Sequence, residues 1–145
     1  MANAKNFFTK EQTNKIVEAI ANAELDTSGE IRVHLEEYCD ENVVAYSMRL
    51  FTSLKMHETE KRNGVLFYLA VKDKRFAIIG DDGIDKAVPP DFWESIKNHM
   101  LEKFKKNEFT EGLCEGIAMA GEKLKLYFPY HAEDKNELKN DISFN

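Results

Sequence analysis

The sequence predicts a single α/β domain, a three-layer α/β/α sandwich in which a small mixed sheet is flanked by about four helices. Three observations predict it. An alternating strand pattern, a helical pattern and a continuous apolar strand follow one another between Glu30 and Val71, which is the order of a β-α-β unit. Only Lys72-Asp73-Lys74 separates that apolar strand from Arg75–Ile79, so a hairpin adds an antiparallel strand. Helical patterns precede and follow this block, and 145 residues with 43% hydrophobic content suffice for one core.

Thr9 and Gln12 form a capping box, and Ile16, Val17, Ile20 and Ala23 recur at helical spacing, so the first helix is expected from Lys10 to Glu24. Ile31, Val33 and Leu35 then alternate with Arg32, His34 and Glu36, the pattern of a strand buried on one face. From Asn42, the positions Val44, Met48, Phe51 and Leu54 define a crossover helix. Gly64 to Val71 reads as a central strand covered on both faces. Pro89 and Pro90 precede Asp91, an expected N-cap for a helix carrying Phe92, Trp93, Ile96, Met100 and Phe104. A last helix starts between Asn107 and Thr110, buries Leu113, Ile117, Ala120, Leu124 and Phe128, and stops at Pro129. Gly112, Gly116 and Ala120 lie four apart, so this helix carries a bare ridge expected to pack on the sheet. The domain is expected to end near residue 130. Residues 131–145 form a polar, acidic tail, partly docked through Leu138, Ile142 and Phe144.

A net charge of −6 disfavours nucleic acid and anionic membranes as partners and favours cations or a basic protein surface. No apolar run reaches the ~20 residues of a membrane span, and the start MANAKNFFTKEQ lacks a secretory pattern, so a cytoplasmic protein is expected. Cys39 and Cys114 stand apart from each other and from any histidine cluster, which suits reduced thiols. His57-Glu58 begins a zinc-protease pattern, but Lys61 occupies its second histidine position. His34, His99 and His131 are isolated and read as surface or partly buried residues. Phe92 and Trp93 read as core.

With the alternating strand around Ile31–Leu35 and the Gly64–Val71 strand parallel, and the Arg75–Ile79 strand antiparallel, the starts of the first two and the end of the third share one end of the sheet. Three loops therefore converge, carrying Glu30, Arg62, Asn63, Gly80, Asp81, Asp82, Gly83 and Asp85. Glu30, Asn63, Asp81, Asp82 and Asp85 supply oxygen donors of the kind Ca2+ or Mg2+ prefers, while Arg62, Gly80 and Gly83 are candidate ligand-binding positions. Repulsion among these acids is relieved by a cation, by Arg62, or by a raised pKa on one of them. The same glycines and aspartates are also ordinary turn residues.

The stretches FTKEQ, SGEIRVHLE, RNGVLFYLAVKDKRFAIIGDDGID and FTEGLCEGIAMAGEKL, with a Trp-bearing helix before the last, resemble the TPM domain family from about Phe8 to Pro129. The pattern is similar to a short, soluble, bacterial-type subgroup. The resemblance implies an α/β/α sandwich, a divalent-cation site reported for some members, and acid phosphatase activity attributed to a plant member. In that family an acid often stands where this chain has Asn63, and a strand-borne Glu where it has Ile79. Two readings follow. One is a binding or assembly and repair-accessory module using the acidic end. The other is a metal-assisted phosphomonoesterase in which Asp81, Asp82 and Glu30 hold the metal and Arg62 binds phosphate.

Overall fold

The computed structural model describes residues 7–130 and 142–144. The elements run α1 (Lys10–Ala23), β1 (Glu30–Glu36), α2 (Val43–Ser53), a 3-10 turn (Met56–Glu58), β2 (Gly64–Ala70), β3 (Arg75–Gly80), α3 (Asp82–Ala87), α4 (Glu94–Lys105), α5 (Phe109–Tyr127) and β4 (Ile142–Phe144). The expected capping box forms: the Thr9 hydroxyl accepts from Gln12 N at 3.1 Å and Gln12 Oε1 accepts from Thr9 N at 2.9 Å. Asn42 caps α2 through Ala45 N at 2.9 Å.

The sheet order is β3-β2-β1-β4. β1 and β2 are parallel with Glu30 opposite Gly64, and β2 and β3 are antiparallel with Val65 opposite Gly80. Alternation along the strands separates two cores. Ile31, Val33, Leu35, Val65, Phe67 and Leu69 face α1, α4 and α5, whereas Leu66, Tyr68 and Ala70 pack with Leu50, Phe51 and Met56 under α2. Every residue of β2 is buried, which accounts for its unbroken apolar composition.

Several expectations change in three dimensions. The loop expected to carry Gly80 to Asp85 is in large part helical: α3 begins at Asp82, and Asp81 is its N-cap. Asp91 does not cap the next helix; α4 starts at Glu94 after a turn, with Trp93 at the cap position and no side-chain cap bond. The bare ridge of α5 meets α4 rather than the sheet. A Cβ on Gly112 would lie 2.6 Å from Phe104 Cε1, and one on Gly116 would lie 2.6 Å from Met100 Sδ. Their absence lets the two helices approach closely, which offsets the roughly 1 kcal/mol that glycine costs in a helix. Of the tail's expected anchors, Ile142 and Phe144 belong to β4, which adds a parallel edge strand beside Val33–Leu35. Leu138 and His131 lie outside the described residues. His34 is buried in the sheet at 1% exposure, not near the surface.

Candidate functional site at the acidic end of the sheet

Three backbone hydrogen bonds tie the loops together. Glu30 N donates to Asn63 O at 3.2 Å, Asp81 N to Gly64 O at 3.0 Å, and Gly83 N to Arg62 O at 2.9 Å. The convergence expected from strand direction is therefore present, with residues 30, 62–64 and 80–83 at one end of the sheet. The turn before β2 is held by Thr59, whose carbonyl accepts from Arg62 N and whose hydroxyl accepts from Asn63 N, both at 3.2 Å. Arg62 adopts a left-handed conformation with φ of 52°. This turn directs its side chain across to the start of α3.

There the Asp81 carboxylate accepts from Arg62 Nε at 2.8 Å and from Nη2 at 2.9 Å, a fork-to-fork pair. It also accepts from Asp82 N at 2.8 Å, fulfilling its capping role. The Asp81 side chain is 4% exposed, while that of Arg62 is 45% exposed. Asp82 Oδ2 lies 3.7 Å from Arg62 Nη2 on a largely exposed side chain. Asp85 is also exposed, and its carboxyl is pushed up by partial burial and then by the charges of Asp82 and Asp81. Arg62, caught between Asp81 and Asp82, is held more firmly in its charged form, chiefly by the Asp81 hydrogen bond.

The remaining positions have structural partners. Asn63 is buried and donates through Nδ2 to Ser28 Oγ at 3.2 Å. Glu30 is buried at the start of β1. Gly83 presses on the preceding turn so closely that a Cβ would sit 2.3 Å from Lys61 O, and Gly80 lies under Trp93 and Ile84. Both glycines are thus explained by packing. Among the described residues, no group of three His, Cys, Asp or Glu side chains is arranged to hold a metal ion.

One acid escaped the sequence reading. Glu24, at the end of α1, accepts from Ile31 N through Oε2 at 2.7 Å. It thereby satisfies an amide at the edge of β1 beyond the reach of β4. Burial, and secondarily the Glu30 charge, push its carboxyl up to about 7 against the opposing effect of the Ile31 hydrogen bond. No local pattern marks this role, because the amide it serves belongs to a neighbouring element.

The acidic end thus combines the Asp81 carboxylate neutralised by a guanidinium, the Glu24 carboxyl pushed up to about 7, and two exposed aspartates on α3, of which Asp85 is also pushed up. No nucleophile is assembled among the described residues by these contacts.

A sequence model of the TPM domain matches residues 1–123. The BA42 protein of the psychrophilic bacterium Bizionia argentinensis, solved by NMR, is 46% identical over all of both chains with a TM-score of 0.93. The N-terminal domain of a P. gingivalis protein has a TM-score of 0.70 at 18% identity, covering 87% of this chain and 83% of that one. The N-terminal domain of cg2496 from Corynebacterium glutamicum has a TM-score of 0.65 at 9% identity, covering 94% and 80%. These last two share the fold. No curated protein matches this chain.

Proposed function

The chain belongs to the TPM domain family, and on that premise we propose that it is a binding or assembly-accessory module whose acidic sheet end engages positive charge, either Ca2+ or Mg2+ or a basic group on a protein partner. The observation that carries this reading is the Asp81–Arg62 pair beside the exposed Asp82 and Asp85. A resident guanidinium already occupies the place where these acids need a counter-charge. Oxygen donors suit hard divalent cations, and an incoming cation would draw on Asp82 and Asp85 and compete with Arg62 for Asp81. Glu30 and Asn63 would then support the site from β1 and the β2 turn.

The test is a backbone NMR titration with Ca2+ and, separately, Mg2+ on wild type and on Asp82→Asn/Asp85→Asn, which leaves the capping Asp81 intact. Saturable shifts near residues 29, 62–63 and 81–85 in wild type alone are expected. Their absence at roughly millimolar cation, a weak-site concentration, would remove the metal reading. Shifts that survive in the variant would move the site elsewhere.

A metal-assisted acid phosphatase is the second reading, favoured by the partly exposed Arg62 guanidinium at the same end. It has less support, because that guanidinium is bound to Asp81 and burial pushes the Cys114 thiol up, away from thiolate. Equal turnover of a generic phosphomonoester by wild type and Asp81→Asn/Asp82→Asn would exclude these carboxylates from any hydrolysis. Among the described residues no helix is long and apolar enough to cross a membrane. We place the module in the cytoplasm, which imaging of a tagged chain would check.

A further inference from the structure

A second cleft, of about 370 Å³, opens between the turn that leads into α4 and the last turns of α5. Asp91 and Glu94 stand on one wall, with Phe92 between them in sequence. On the other wall Tyr127 meets Phe92 edge to face, with ring centroids 5.6 Å apart and planes at 77°. Lys123 Nζ lies over the Phe92 ring, 5.3 Å from its centroid. Leu126 and Tyr127 form an open rim, 75% and 39% exposed.

We propose that this cleft is a docking site for a lysine side chain presented by a partner protein. Phe92 is 5% exposed with Lys123 over its ring, so an incoming ammonium would take the place of Lys123, attracted by the aromatic face and by the two acids that line the same recess. The chain demonstrates the affinity on itself, since Lys123 is the cation now over Phe92. Among the described residues Asp91 and Glu94 are in no ion pair. The start of a helix favours a nearby acid through its dipole, which accounts for Glu94 but not for the aromatic wall or the position of Lys123. A protein partner fits better than a free small molecule. Small-ligand sites enclose most of their ligand, whereas this recess is open and edged by exposed apolar side chains that a partner surface would cover. The net charge of −6 favours approach of a basic surface. None of these residues belongs to the acidic end of the sheet, so the inference stands apart from the proposed cation site.

The experiment uses the full chain and two short, end-blocked alanine peptides, one carrying a single lysine and the other norleucine at the same position. Binding is read by NMR shifts at Phe92, Leu126 and Tyr127. Saturable shifts with the lysine peptide and none with the norleucine peptide are expected. Asp91→Asn/Glu94→Gln, both exposed positions, should weaken binding about tenfold, the scale of losing charged contacts to a lysine. Lys123→Met keeps the stem and removes the competing ammonium, and should tighten binding about threefold. An equal response to norleucine would reduce the cleft to an apolar groove and overturn the proposal. So would unchanged affinity in the Asp91/Glu94 variant, or the lack of any saturable shift in both wild type and Lys123→Met. Because Asp81, Asp82 and Asp85 are untouched, none of these results bears on the metal titration.

Discussion

His34 Nδ1 lies 2.6 Å from Ser143 Oγ, joining residues 109 positions apart and fastening the short edge strand β4 to the middle of β1. Ser143 Oγ also donates to Val33 O at 3.4 Å, so it accepts from His34, which fixes the proton on Nδ1. Nε2 is then a bare acceptor; among the described residues it has no hydrogen-bond partner, and Glu36 Oε1 is 4.0 Å away. Glu36 in turn accepts from Tyr46 at 2.5 Å and from Tyr68 at 2.6 Å. A buried polar layer thus lies beneath α2 and reaches the C-terminal strand.

A strand with only three residues depends heavily on one side-chain anchor. Ser143→Ala removes both bonds of the hydroxyl and leaves His34 Nδ1 without its acceptor. We expect a loss of about 1 to 2 kcal/mol in unfolding free energy. Amide exchange should accelerate at Ile142–Phe144 while β2 and β3 stay protected. Unaltered exchange in β4 would show that backbone pairing alone holds the strand.

Burial lowers the His34 pKa from 6.5 to about 4, with Arg32 acting in the same direction and Glu36 against it. Between those values the unfolded chain binds a proton that the folded chain excludes. Stability is therefore full above about pH 6.5 and declines as pH falls toward about 4. The two limits correspond to a loss on the order of 3 kcal/mol for this group at 1% exposure. His34→Gln should flatten that part of the profile, measured by urea unfolding across the window. A slope that persists unchanged would assign the acid sensitivity to other groups.

Glu24 has the opposite sign. Its folded pKa of about 7 exceeds the ordinary 4.5, so the folded chain retains a proton that the unfolded chain has released. The stabilisation is intact below about pH 4.5 and is lost as pH rises through about 7. Glu24→Gln keeps an oxygen acceptor for Ile31 N and removes the titration. The variant should gain on wild type steadily across that interval, and a constant difference between the two would contradict the assignment.

The shared end of the sheet was legible because chain order alone fixes it. A β-α-β unit makes β1 and β2 parallel, a tight hairpin reverses β3, and Glu30, Asn63 and Asp81 must then meet. What periodicity missed was short or nonlocal. The α3 sequence DGIDKA is too brief to display helical spacing and begins like a turn. β4 is visible only through its pairing with Val33–Leu35. Glu24 and His34 acquire their properties from elements distant in sequence, so composition cannot reveal their environments. The Asp81–Arg62 pair is one of the expected ways of relieving acid repulsion and an elevated carboxyl among the clustered acids is another; the molecule shows both, the latter on Asp85.

Gly83 tests whether the acidic end is a rigid assembly. It lies in the first turn of α3, where Gly83 N donates to Arg62 O, and a Cβ there would be 2.3 Å from Lys61 O and 2.5 Å from Arg62 O. Neither obstacle is the far end of a flexible side chain; both are backbone carbonyls of the turn that aims Arg62 at Asp81. Relief requires α3 to withdraw from the turn, which lengthens the Gly83–Arg62 bond and disturbs the fork-to-fork pair. Gly83→Ala should therefore destabilise by about 1 to 3 kcal/mol, the usual range for overpacking. The gain in helix propensity, about 1 kcal/mol at most, opposes this and does not reverse it. The Arg62 side-chain Nε–H resonance should lose its hydrogen-bonded shift in the same variant. Should Gly83→Ala prove neutral or stabilising with that resonance unmoved, the turn must yield easily, and the tight contact would cease to explain the glycine.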